Sequence, residues 1–231
     1  MTDSLEVAYA LAQKSRVLIL GGAAVIFHGL NRSTRDIDFW IDPQRWVLAI
    51  EELLQTYPVI TATYLDDTTG QWESISKGNI SYVPTKGRLL RLNGCNKPID
   101  IFYQPNELTI EEFDVIWNRA VPLKNGVRAL DIIDLITTKQ LTQRPHDETD
   151  IAFLESKLEE ELCSKLPVES YDYAAAQFQR FRSATTAFSA TKNKCEEVRE
   201  LGLSILNELA SNGDPFAQEY LDDVSLLFKK G

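Results

Sequence analysis

Histidine and cysteine are scarce in this sequence, with two of the first and three of the second among 231 residues. With only His28 and His146, the chain lacks the nitrogen donors that metal-dependent phosphohydrolases usually add to their carboxylates. Cys95, Cys163 and Cys195 lie far apart and in no metal-ligand spacing, which excludes a zinc module. Three thiols without a signal peptide suit a reducing cytosol, so a cytoplasmic location is expected. No apolar run approaches the roughly 18–20 residues that cross a bilayer. An excess of positive charge is missing too: the net charge is −10, which excludes general affinity for nucleic acid phosphates.

The acidity is uneven. Residues 1–128 hold 13 Lys and Arg against 15 Asp and Glu, whereas residues 129–231 hold 11 against 19. A polyanion would therefore meet the first half, where Lys86, Arg88, Arg91 and Lys97 offer a local basic stretch. The acidic second half would instead attract a cationic small molecule.

Hydrophobic patterning also divides the chain. Residues 4–14 read as a helix with Leu5, Ala8, Tyr9 and Ala12 on one side. Residues 16–20 (RVLIL) form a buried strand ended by Gly21-Gly22, and 23–30 a helix. Residues 36–41 (DIDFWI) alternate with period 2, a strand signal, and 46–56 have helical spacing. Short strands follow at 59–65, 72–76, 79–83, 88–93 and 98–103, with Trp40, Trp46, Trp72 and Trp117 assigned to the core. Beyond a helix at 109–120, Asn125-Gly126 marks a turn between two extended pieces. Helices follow from 131 to about Gln143, then at 147–163, 170–188, 193–211 and 215–229. The expected class is α+β, a mixed α/β domain over residues 1–128 followed by a helical bundle over 129–231.

Asp36 and Asp38 share one face of their strand, with Cα atoms roughly 6–7 Å apart. Ile37, Phe39 and Ile41 take the opposite face and can anchor it. Adjacent carboxylates repel unless a cation lies between them, and a hard divalent ion such as Mg²⁺ favours all-oxygen ligation. Asp100 has the same apolar setting (Ile99-Asp100-Ile101-Phe102) and completes a set of three if its strand is a neighbour. Three carboxylates are what two metal ions about 3.5–4 Å apart require. Gly21-Gly22, between strand and helix, would let the backbone approach phosphates closely.

The order Gly21-Gly22-Ala23-Ala24-Val25, then His28-Gly29, then Arg32-Ser33-Thr34-Arg35-Asp36-Ile37-Asp38-Phe39-Trp40 resembles the DNA polymerase beta-type nucleotidyltransferase superfamily. More narrowly, it resembles the bacterial branch of abortive-infection and toxin–antitoxin nucleotidyltransferases. A fainter similarity runs through Leu130-Asp131-Ile132-Ile133-Asp134-Leu135, Lys139-Gln140-Leu141, Arg144 and Asp147 to Asp150-Ile151. There the branch carries a lysine and a later aspartate near the nucleotide, and His146 departs from its usual basic residue. The resemblance implies a minimal nucleotidyltransferase sheet flanked by helices. It also implies transfer of an NMP from an NTP to an acceptor hydroxyl, with two Mg²⁺ ions, or Mn²⁺ in their place. Asp36, Asp38 and Asp100 would be the metal ligands, with Lys139 as a catalytic cation. Gly21, Gly22, Arg32, Ser33, Thr34, Arg35 and Asp150 would surround the nucleotide. Ser33 and Thr34 can donate to phosphate or cap the turn. The acceptor would be tRNA, protein or a small molecule, and a toxin-like role would bring an antitoxin partner. Two alternatives keep the fold: modification of an aminoglycoside or lincosamide antibiotic, and a non-catalytic partner-binding member.

Overall fold

The structure is a computed structural model and describes residues 2–140, 142 and 144–228, without the side chains of residues 86 and 226–228. Its chain begins with α1 (Ser4–Ala12), β1 (Val17–Leu20), α2 (Gly21–Phe27), β2 (Ile37–Ile41) and α3 (Trp46–Thr56). Then come β3 (Thr61–Leu65), β4 (Trp72–Ile75), α4 (Val83–Lys86), β5 (Leu89–Asn93), β6 (Ile99–Phe102) and α5 (Phe113–Arg119). The remainder is β7 (Val121–Pro122), β8 (Val127–Ala129), α6 (Ile132–Gln140), α7 (Pro145–Lys165), α8 (Tyr171–Arg180), α9 (Ala184–Ala190), α10 (Glu196–Ser211) and α11 (Pro215–Phe228). Among the described residues this is a mixed α/β protein with one eight-stranded sheet and eleven α-helices. No described helix is long and apolar enough to cross a membrane. Two compact units divide the chain, Met1–Ala152 and Phe153–Gly231.

In the first unit the strand order is β4-β3-β5-β6-β2-β1-β8-β7. The β2–β6 and β1–β8 pairs are parallel and the other pairs antiparallel. The registers align Leu20, Asp38, Asp100 and Arg91 in one row across β1, β2, β6 and β5. Side chains in such a row share a face. The odd-numbered residues Ile37, Phe39 and Ile41 are all buried, and they hold β2 so that Asp38 takes the other side. Trp40 and Trp46 are fully buried, and their indole N–H groups donate to the carbonyls of Tyr103 and Phe102, both at 3.1 Å. Burying a large apolar side chain of this kind contributes about 1.5–3 kcal/mol.

Three expectations are corrected. Residues 79–83 are not a strand. A 3₁₀ turn (Lys77–Tyr82) runs into α4, and Ile80 and Val83 are both buried, a spacing of three. Pro84, without an N–H, enters the first turn of α4 rather than a ladder. The single helix expected over 170–188 is two, because Ser183 and Thr186 form a capping box that begins α9 after extended Phe181. In α1 the buried residues are Ser4, Val7, Ala8 and Leu11, and Leu5 is exposed. Asp3 caps that helix by accepting from the Leu5 N–H, which sets its rotation. Of the expected helix reaching Gln143, Leu141 and Gln143 lie outside the described residues, as do Lys229 and Gly231 at the end of the chain.

In the second unit α9 and α10 cross closely at Gly202, where a Cβ would lie 2.7 Å from the Ala187 carbonyl oxygen. Phe188 and Tyr220 stack with centroids 4.5 Å apart, joining α9 to α11.

Candidate active site

The acidic row at the sheet is built by local sequence. Asp38 follows buried Ile37 and precedes buried Phe39, and its register partner on β6 is Asp100. Asp36 stands two residues earlier, just before β2 begins. Burial pushes the Asp38 carboxyl up to about 7, and the neighbouring carboxylates of Asp36 and Asp100 add to the rise. Lys139 and Arg144 act in the opposite sense, so both cations lie within electrostatic reach.

Gly21 closes over this carboxylate. It has φ +59°, and a Cβ there would sit 1.8 Å from Asp38 Oδ2. Only glycine meets both demands without moving the aspartate. At Gly22 a Cβ would lie 2.8 Å from Thr34 Oγ1 and 2.9 Å from Arg32 Nη2. The glycine pair opens the first turn of α2 itself instead of preceding it. At the far end of that helix the His28 ring meets the Leu130 carbonyl through Nε2 at 2.8 Å, a structural tie.

Arg91 is the residue that patterning misplaced. Its Nε and Nη2 each donate to one oxygen of the buried Asp100 carboxylate at 2.6 Å, and Nη2 lies 3.9 Å from Asp36 Oδ2. The guanidinium stands 4.7 Å from the centroid of Trp72, which is 42% exposed and so not a core residue. The basic stretch is consequently not one polyanion surface. Arg91 is turned into the carboxylates, Lys97 Nζ donates to the Thr34 carbonyl at 2.9 Å, and Arg88 faces Asp67 at 3.9 Å. The side chain of Lys86 lies outside the described residues. Strand alternation in Leu89-Leu90-Arg91-Leu92-Asn93 was the available signal, since it puts Arg91 opposite Leu90 and Leu92.

A second charged cluster joins α6, α7 and the loop before β2. Buried Lys139 donates to Asp147 Oδ1 at 2.8 Å and meets Asp150 Oδ2 at 2.7 Å. Arg32 Nη2 donates to the same Asp150 oxygen at 2.6 Å, and Nη1 donates to the Ser33 carbonyl at 3.1 Å. Arg32 Nε is buried with no hydrogen-bond partner among the described residues. Such a donor is costly to leave unmade and fits an anionic oxygen brought by a ligand. Burial works against ionised Asp147, but hydrogen bonds from Lys139 and Thr142 hold its carboxyl below the ordinary range. Asp147 is 4% exposed and anchors Lys139.

The remaining expected residues have plain positions. Thr34 Oγ1 donates to the Asp36 carbonyl at 3.0 Å, a turn cap, while Ser33 and Arg35 are exposed. Arg35 makes no hydrogen bond or ion pair among the described residues.

As the side chains stand, no three His, Cys, Asp or Glu residues converge as a ready metal site among the described residues. Asp100 is instead committed to the Arg91 fork. The donor set still suits a hard cation: it is all carboxylate, and burial together with the neighbouring carboxylates raises the Asp38 carboxyl to about 7.

No family model matches the chain, and no curated protein matches it. Among solved structures, a crystal structure of a provisionally assigned nucleotidyltransferase from H. pylori is similar over 96% of this chain and 95% of that one. The identity is 15% and the TM-score 0.39, values too low to transfer an activity.

Proposed function

We propose that the chain is a divalent-metal-dependent nucleotidyltransferase, moving an NMP from an NTP to an acceptor hydroxyl. The observation that carries this reading is the Asp38–Asp100 register pair beside Asp36, with Gly21 packed against the Asp38 carboxylate. On this reading β1, β2 and β6 are the centre of a minimal nucleotidyltransferase sheet.

Asp36, Asp38 and Asp100 would hold Mg²⁺ or Mn²⁺. When bound, the ions would neutralise the triphosphate and acidify the attacking hydroxyl. The chain's own residues have separable tasks. The missing Cβ atoms of Gly21 and Gly22 let Asp38, Thr34 and Arg32 pack against the turn, and Arg32 Nε supplies an unused donor for a phosphate oxygen. Lys139 adds a positive charge held in place by Asp147 and Asp150. Asp100 would receive the proton of the acceptor hydroxyl. A new oxygen–phosphorus bond forms at the α-phosphorus as the bond to pyrophosphate breaks. Most of the rate gain would be electrostatic and positional.

The test is label transfer. Purified protein with each α-labelled NTP and Mg²⁺ is offered total tRNA, protein extract or an aminoglycoside in separate arms. Transfer in one arm that is lost in Asp36→Asn and Asp38→Asn supports the reading and names the acceptor. Absence of NTP binding by the wild type in both Mg²⁺ and Mn²⁺ rejects it, and leaves the non-catalytic alternative.

A further inference from the structure

The Arg91–Asp100 fork has a consequence beyond the reaction itself. Arg91 and Asp100 are register partners on antiparallel strands, so their backbones are fixed and only their side chains can part. Both oxygens of Asp100 accept from the one guanidinium, at 2.6 Å each. The same guanidinium reaches toward Asp36 at 3.9 Å. A single positive charge thus spans two of the three carboxylates. A divalent ion among those carboxylates would be repelled by it and would compete for the same oxygens. The guanidinium also has an alternative resting place, since the Trp72 ring already lies 4.7 Å away and its indole is partly exposed. Cation–π contact there keeps part of its stabilisation when the fork opens.

The geometry points to Arg91 as an internal stand-in for the metal, which occupies both oxygens of Asp100 until a divalent ion displaces the guanidinium toward Trp72. This rests on the nucleotidyltransferase reading of the site. The stand-in stabilises the metal-free protein, where three close carboxylates would otherwise repel, and it makes Asp100 available only when the ion arrives. Trp72 reports the exchange, because its ring is the surface on which the guanidinium moves.

The experiment uses Mg²⁺ alone, without nucleotide, on the full chain. Mg²⁺ is titrated while indole emission is followed in the wild type, Arg91→Gln, Arg91→Lys and Trp72→Phe, and melting is recorded in chelator and in Mg²⁺. Arg91→Gln is expected to bind Mg²⁺ about tenfold more tightly, the equivalent of one charge-assisted hydrogen-bonded contact no longer competing. It should melt lower than the wild type in chelator and recover in Mg²⁺. Arg91→Lys, which can hold Asp100 at one point only, should fall between them and guards against a glutamine variant that does not fold. Trp72→Phe should bind Mg²⁺ with the wild-type emission change lost. Equal or weaker Mg²⁺ binding by both Arg91 variants overturns the stand-in and leaves the nucleotidyltransferase reading intact. Absence of Mg²⁺ binding in every variant overturns both.

Discussion

Two of the charged clusters in the first unit are built on opposite principles. At the sheet, Asp36, Asp38 and Asp100 face the single guanidinium of Arg91, so negative charge is in excess. Where α6 and α7 meet the loop before β2, Lys139 and Arg32 face Asp147 and Asp150, two against two. Desolvating a charge is costly unless a partner compensates it. The balanced cluster meets most of that cost internally, with Arg32 Nε left as a buried donor without a partner among the described residues. The sheet cluster does not: Lys139 and Arg144 only partly offset the rise at Asp38, and the carboxylate excess that is left is what a cationic ligand would relieve. If this contrast is right, substitutions in the two clusters must trade stability and activity in opposite directions.

The largest effect is expected at Asp38. Asp38→Asn should lower nucleotidyl transfer by at least about 10³-fold, as losing a group aimed at developing charge does. It should leave the melting temperature equal or higher, because a repelled carboxylate has gone. A melting temperature well below wild type would erase the distinction between the clusters. Next is Asp150→Ala, which removes the acceptor shared by Lys139 and Arg32 at 2.7 and 2.6 Å. Two cations then lose a buried partner, and unfolding in urea should show a loss of about 3–5 kcal/mol. Gly21→Ala follows. A Cβ 1.8 Å from Asp38 Oδ2 must displace that carboxylate, and φ +59° adds strain of about 1–2 kcal/mol. Mg²⁺ binding should weaken more than the melting temperature falls; the reverse result would make Gly21 a folding residue only.

The two clusters also differ in how far they could be read from sequence. The sheet carboxylates were legible because period-2 alternation and apolar flanks are local signals, and Asp36, Asp38 and Asp100 carry both. Their principal partner was not. Arg91 sits in an equally clear strand, but which strand lies beside β6 is decided by the chain between Thr61 and Asn93, and no local pattern states it. The same gap placed Trp72 in the core, although β4 is the sheet edge. In the balanced cluster Lys139 and Asp150 were singled out by resemblance, whereas the Asp147 contact depends on how two helices turn about residue 142. Residues 79–83 failed for a different reason: a five-residue apolar-rich run supports either period, and Pro84 decided it.

The smallest effect, and the one that separates the clusters most cleanly, is the slope of stability against pH in chelator. Asp38 has an ordinary value of 3.8 and is raised to about 7 in the folded chain. Between those values the folded protein holds a proton that the unfolded chain has released. Stability from this group is therefore full below about pH 4 and is lost as pH rises toward about 7. Asp147 is shifted the other way, so its contribution is present above 3.8 and is lost as pH falls below that value. Melting temperatures between about pH 5 and pH 7.5 should then decline by a few degrees in the wild type and not in Asp38→Asn. Mg²⁺ should abolish the decline, since the ion takes the place of the proton. An unchanged slope in Asp38→Asn would mean that Asp38 is not the group that holds the extra proton in the folded chain, and with that the reason to expect a cation there would disappear.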